Sequence, residues 1–180
     1  SDPDDMDNNG TDDRFQVDGF MDVNSNGTDD SNEGLCHLRD AEGNRTVGFA
    51  SATGVMRCRT AFTRFDLNVG GDTPLPYGIF SCRVDGLPVD TENPASAEIT
   101  IYFPKALSSD IEWLKYDEAS ASLTRYSGSI QVDGNIVRLS VVDGGPDEAD
   151  EEGNGIIVDH SGPQFDENEE DPPAGENTGD

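Results

Sequence analysis

Tyr77-Gly78-Ile79-Phe80-Ser81-Cys82-Arg83-Val84-Asp85-Gly86-Leu87 carries a period of two: Phe80, Cys82 and Val84 fall on one face, Ser81 and Arg83 on the other. That is the pattern of a strand with one face against a core. Ala97 to Phe103 repeats it, with Ile99, Ile101 and Phe103 inward. Working outward, Thr46 to Ala52, Val55 to Leu67 and Ile111 to Tyr116 read as further strands, with a turn-rich break at Gly70-Gly71-Asp72-Thr73-Pro74. Ser129 to Val142 reads as a hairpin around Asp133-Gly134-Asn135, and Ile156-Ile157-Val158 as a final short strand. No window carries the 3.6-residue period of a helix. The expectation is an all-β chain, a β-sandwich of about seven or more short strands, with Trp113 in its core.

The 180 residues carry a formal net charge of −27, and its distribution is uneven. Residues 1–30 hold ten acids and one base (Arg14), residues 141–180 hold fourteen acids and no base, and the middle is near −4. Such a field repels nucleic acid and anionic membrane surfaces. No apolar run is long enough to span a bilayer. Three parts follow: residues 1–34, a sandwich over 35–163, and an acidic tail over 164–180.

The acid at the N-terminal end is ordered in sequence. Asp5-Met6-Asp7-Asn8-Asn9-Gly10-Thr11-Asp12-Asp13 and Asp22-Val23-Asn24-Ser25-Asn26-Gly27-Thr28-Asp29-Asp30 share the pattern D-x-[DN]-x-[DN]-G-T-D-D. Calcium takes six to eight oxygen ligands, and side chains at positions 1, 3 and 5 converge on one ion only where the chain turns sharply. Glycine at position 6 permits the turn, and a carbonyl follows at position 7. Asp5, Asp7, Asn9 and Thr11 are therefore candidate Ca2+ ligands, closed by Asp13 or by Asp18 from the connector. In the second loop Asp22, Asn24, Asn26, Thr28 and Asp30 are the candidates, and Glu33 stands at position 12 as a bidentate ligand. The loop Asp143 to Asn154 is a third, less regular site, with Asp143, Asp147, Asp150 and Asp159 as candidates. Clustered carboxylates repel without the metal, so these segments should loosen when it is removed.

The amphipathic helices that flank the loops of an EF-hand are missing: the connector Arg14 to Met21 is short and broken by Gly19. The tandem instead resembles the calcium repeats of thrombospondin type 3 and related bacterial surface proteins, which implies a segment where metal replaces a hydrophobic core. A second resemblance covers residues 35 to 163. Pro76 to Pro88, Ala97 to Pro104, Leu114-Lys115-Tyr116, Gly134 to Gly145 and Asn154 to Asp159 together resemble the choice-of-anchor U domain of bacterial surface proteins. It departs from that family in a shorter stretch over 117–128 and in His160 where a Pro is usual. The resemblance implies a secreted, surface-displayed β domain with no catalytic role.

Cys36, Cys58 and Cys82 are an odd set. In an exported chain this leaves one thiol unpaired or bonded to another subunit, and three pairings are open. The sequon at Asn44 is the best glycosylation candidate, since those at Asn9 and Asn26 coincide with proposed ligands. His37 and His160 are the only histidines, and neither sits in a nucleophile or zinc motif, so no enzyme is expected. Starting at Ser1, the chain reads as a processed form. The functional expectation is an exported, calcium-binding structural protein of the prokaryotic cell surface that assembles with its own copies as a homo-oligomer or polymer. Phe15, Val17 and Phe20 are available to add an edge strand to a neighbour. The alternative is an adhesin or a module that binds surface glycans. Neither a nucleic-acid partner nor membrane insertion is expected.

Overall fold

The computed structural model describes residues 11, 22, 27, 35–71, 74–90, 92–146 and 153–166. Among these residues the chain is a sandwich of ten strands in two antiparallel sheets with one helical turn. The first sheet runs β1 (Cys36–Arg39), β2 (Thr46–Ser51), β5 (Ser96–Tyr102), β9 (Ile136–Val142) and β8 (Ile130–Asp133) in spatial order. The second runs β3 (Val55–Phe62), β4 (Ile79–Asp85), β10 (Ile157–Gln164), β6 (Glu112–Asp117) and β7 (Ser122–Arg125).

The alternation that predicted the strands also builds the core. Phe80, Cys82 and Val84 are buried on β4, and Ile99 and Ile101 on β5, with Phe103 just beyond it. The sheets meet through aromatic edges: the Phe49 and Phe80 rings lie 5.1 Å apart at 73°, and Phe103 stands 6.1 Å from Trp113 at 77°. Edge-to-face pairs of this kind add to plain area burial. Trp113 is 2% exposed, as expected of a core residue.

The hairpin forms where the turn signal lies. Asp133 pairs with Ile136, leaving Gly134 and Asn135 as a two-residue loop, and Gly134 takes the positive φ (61°) that such turns demand. Asn135 then ties the turn to the neighbouring strand through Nδ2 to the Phe103 carbonyl at 3.0 Å.

Three features differ from the expectation. The segment Val55 to Leu67 is not one strand: β3 stops at Phe62 and the helical turn α1 (Arg64–Leu67) follows. A capping box stops it, for the Thr63 hydroxyl accepts from the Asp66 amide at 3.1 Å and the Asp66 carboxylate accepts from the Thr63 amide at 2.9 Å. The final strand is eight residues, not three, because Asp159, His160 and Ser161 continue it under polar disguise. The short strands β1 and β7 carry too few residues for a visible period.

Candidate metal centre

The N-terminal loops meet the described structure at three residues. The carboxylate of Asp22 accepts a hydrogen bond from the Gly27 amide at 2.8 Å. Gly27 holds φ at +87°, a conformation L side chains rarely adopt. The second loop thus closes from position 1 onto position 6, and the glycine does the turning assigned to it. Thr11, one position past the glycine of the first loop, donates its hydroxyl to the Cys58 carbonyl at 2.7 Å, which ties that loop to β3. Asp5, Asp7, Asn9, Asp13, Asp18, Asn24, Asn26, Thr28, Asp30 and Glu33 lie outside the described residues, as do Asp147 and Asp150.

The two described residues of the third candidate site go to different places. Asp143 follows β9 and is 3% exposed. Its Oδ2 accepts from the Gly155 amide at 2.7 Å, and its own amide donates to the Ala95 carbonyl at 2.8 Å. Its Oδ1 is buried and has no hydrogen-bond partner among the described residues. A buried carboxylate oxygen without a donor is costly, and a cation is one means of satisfying it. Asp159 lies inside the sandwich on β10 and is 2% exposed. It accepts from the Tyr126 hydroxyl at 3.2 Å and from Ser161 Oγ at 2.6 Å, and Ser161 Oγ in turn accepts from Trp113 Nε1 at 2.9 Å. Asp159 is four positions beyond Gly155, about 13 Å of extended chain. Asp143 and Asp159 therefore serve different neighbourhoods. Among the described residues no group of three His, Cys, Asp or Glu side chains is gathered as a metal site.

The sulfur chemistry is resolved. Cys36 and Cys58 are joined as a disulfide, with Cα atoms 5.9 Å apart, and Cys82 is a buried free thiol. The bond runs from edge strand to edge strand, β1 to β3, and so staples the two sheets along one side. Burial, then the negative charge of Asp159, pushes the Cys82 thiol well above its ordinary range. Asn44 is exposed on the β1–β2 turn, whose shape is held by buried Asp40 accepting from the Asn44 amide and from Arg45 Nε, each at 2.9 Å. Sequence reasoning missed Asp40. Its signal was the short D-x-x-x-N-R spacing of a side-chain-closed turn.

On the outer face of the second sheet Arg57 and Arg83 converge on Asp85. Arg57 Nε donates to Asp85 Oδ2 at 2.6 Å, while Arg83 Nε lies 2.7 Å from Oδ1 in an ion pair not aligned as a hydrogen bond. His160, opposite Ser81, is 3.9 Å from Glu118. Burial lowers its pKa, with Glu118 opposing and Arg59 reinforcing. A cleft of about 360 Å³ opens between α1 and β7, lined by Arg64, Leu114, Leu123, Arg125 and Gln164 among others. Its polar groups engage one another: Arg64 donates to Gln164 at 2.7 Å, Gln164 to Glu112 at 3.0 Å, and Arg125 to Glu112 at 2.5 Å. Among the described residues no aromatic side chain lines it. Among the described residues no helix is long and apolar enough to cross a membrane.

No family model, curated protein or solved structure matches this sequence.

Proposed function

We propose that the chain is an exported, calcium-stabilised structural protein of the prokaryotic cell surface that assembles with copies of itself. The calcium reading is carried by one observation, the closure of the second loop from the Asp22 carboxylate to the Gly27 amide around a glycine at positive φ. That closure leaves Asn24, Asn26, the Thr28 carbonyl, Asp30 and Glu33 to complete the shell with Asp22. The first loop repeats the pattern, and its Thr11 bond to β3 gives a bound ion a way to stabilise the sandwich. Asp143, with its partnerless buried oxygen, is the anchor of the third site, and Asp147 and Asp150 are its sequence neighbours.

Export is supported by the Cys36–Cys58 bond, since structural disulfides persist in oxidising compartments. Assembly draws on the edge strands of the two sheets: among the described residues β1 and β3 are joined by the disulfide and β3 is tied to Thr11, so β8 and β7 are the edges offered to an added strand. The resemblances to thrombospondin type 3 repeats and to the choice-of-anchor U domain point to the same surface role. The adhesin alternative draws less support, because glycan platforms are aromatic and Trp113, Tyr77 and Tyr126 are all buried, leaving Phe65 as the fully exposed aromatic among the described residues.

The test adds calcium, then excess chelator, and follows melting temperature and particle size together. Both rise with calcium and fall with chelator under this proposal. A rise in melting temperature alone leaves a monomeric module, and no response in either removes the calcium reading.

A further inference from the structure

Cys58 has two sulfur neighbours, and only one is bonded to it. Its disulfide partner Cys36 is on β1, with Cα atoms 5.9 Å apart. Across the β3–β4 ladder its directly opposed residue is Cys82. Residues opposed in an antiparallel pair point to the same face with Cα atoms about 4.5–5.5 Å apart. That range lies inside the roughly 4.4–6.8 Å a disulfide spans. Both side chains face the core, at 2% and 1% exposed.

Chain entropy does not choose between the partners. The Cys36–Cys58 separation is 22 residues and the Cys58–Cys82 separation is 24, so the two loops constrain the unfolded chain almost equally. Position chooses. β3 and β4 are adjacent strands with seven paired positions, so Cys82 stays opposite Cys58 as long as the second sheet holds. Cys36 is the first residue of a four-residue strand that, among the described residues, lies at the sheet edge and pairs with β2. It is also the less buried of the three cysteines.

We propose that Cys82 is an internal nucleophile for the Cys36–Cys58 disulfide, and that Cys36 is thereby a latent reactive thiol on the edge of the sandwich. The Cys82 thiolate attacks Cys58 Sγ along the existing bond. The Cys58–Cys82 bond forms, the Cys36–Cys58 bond breaks, and Cys36 leaves as a thiolate that takes up the proton Cys82 gave to solvent. One disulfide and one thiol enter and leave, so no oxidant or reductant is needed. Burial of Cys82 keeps the exchange slow while β1 is seated, and opening of that edge admits it. The freed Cys36 is then the thiol open to a disulfide-bearing partner, a second copy of this chain above all. That last step rests on the assembling role proposed above; the exchange does not.

The folded full-length protein is incubated at about pH 8.5, near the ordinary thiol range, in calcium or in chelator. It is quenched in acid denaturant, alkylated, digested without reduction and mapped by mass spectrometry. The expected result is alkyl label on Cys36 together with a Cys58–Cys82 linked peptide, both lost in Cys82→Ser, with Cys82→Ala as the second variant should serine disturb the core. Label confined to Cys82 in the wild type overturns the proposal. So does Cys36 label that persists in both variants, which marks outside reduction. A greater Cys36 yield in chelator ties the edge to the calcium loops. Exchange at equal yield in both conditions supports the proposal and counts only against the calcium reading.

Discussion

Asp143 and Asp159 are the same residue at the same burial, 3% and 2% exposed, and their surroundings treat them oppositely. Asp159 is held by two hydroxyls within a chain of donors that ends at Trp113. Asp143 satisfies one oxygen on a backbone amide and leaves the other bare. A fully satisfied carboxylate is part of the scaffold. A half-satisfied one in an acidic loop is stabilising only when something else arrives. The difference teaches that a buried acid should be read through its donors, since burial and sequence context alone put both residues in the same candidate site.

The hardest test of that distinction is Asp159→Ala. It strips acceptors from Tyr126 and Ser161 inside the core, and a loss of about 3 kcal/mol in urea unfolding is expected, with calcium making no difference. A calcium-dependent loss would return Asp159 to the metal. Next is Asp143→Asn, which should leave the metal-free protein unchanged or slightly more stable and remove part of the calcium-induced gain. If calcium binds as proposed, that gain is about 2.7 kcal/mol at a hundredfold excess over Kd, read as the shift of the unfolding midpoint. Trp113→Phe keeps the ring packing and removes one donor to Ser161, for an expected cost of about 1 kcal/mol.

The smallest effect belongs to a third carboxylate, Asp85, which is paired outside the core. Burial alone would raise its pKa, but hydrogen bonds from Arg83 and Arg57 and the charges of both outweigh this and lower it. A carboxyl group whose folded pKa is depressed contributes stability above its unfolded value, near 3.9, and loses it as pH falls through the folded value. Asp85→Asn should therefore cost a little stability at neutrality, where the charged carboxylate is paired, and flatten the acid limb below about pH 4, where the two proteins converge. An unchanged acid limb would mean that the two arginines do no work there.

What could be read from the sequence divides along the same line. β4, β5 and the β8–β9 hairpin were legible because one face of each is apolar at every second residue and the turn residues are specific. β10 was mostly hidden, because its core-facing positions include Asp159 and Ser161, which read as loop until Tyr126 and Trp113 are known to meet them. β1 and β7 were hidden by length. The end of β3 was present as Thr63 and Asp66, three residues apart, a capping signal overridden by the apolar residues around it. For the metal, a turn was expected at Gly27 and its φ is positive there, but the hydrogen bond it donates to Asp22 was not read from the spacing. The scatter of Asp143 and Asp159 was not foretold, because distance along a chain does not say which sheet a residue ends in. The disulfide pairing was open among three cysteines until the fold put β1 beside β3.

β10 is the last strand of the sandwich to be synthesised, and it lies in the middle of its sheet, hydrogen-bonded to β4 on one side and β6 on the other. Until it emerges, the β3–β4 and β6–β7 pairs have no common partner. Each exposes a row of unpaired backbone groups along the seam that β10 will fill. The final strand thus acts as a clock as well as a brick. The sandwich cannot finish folding until β10 is present to join the two pairs. Most of its contacts join distant parts of the sequence, which slows their formation once the strand arrives.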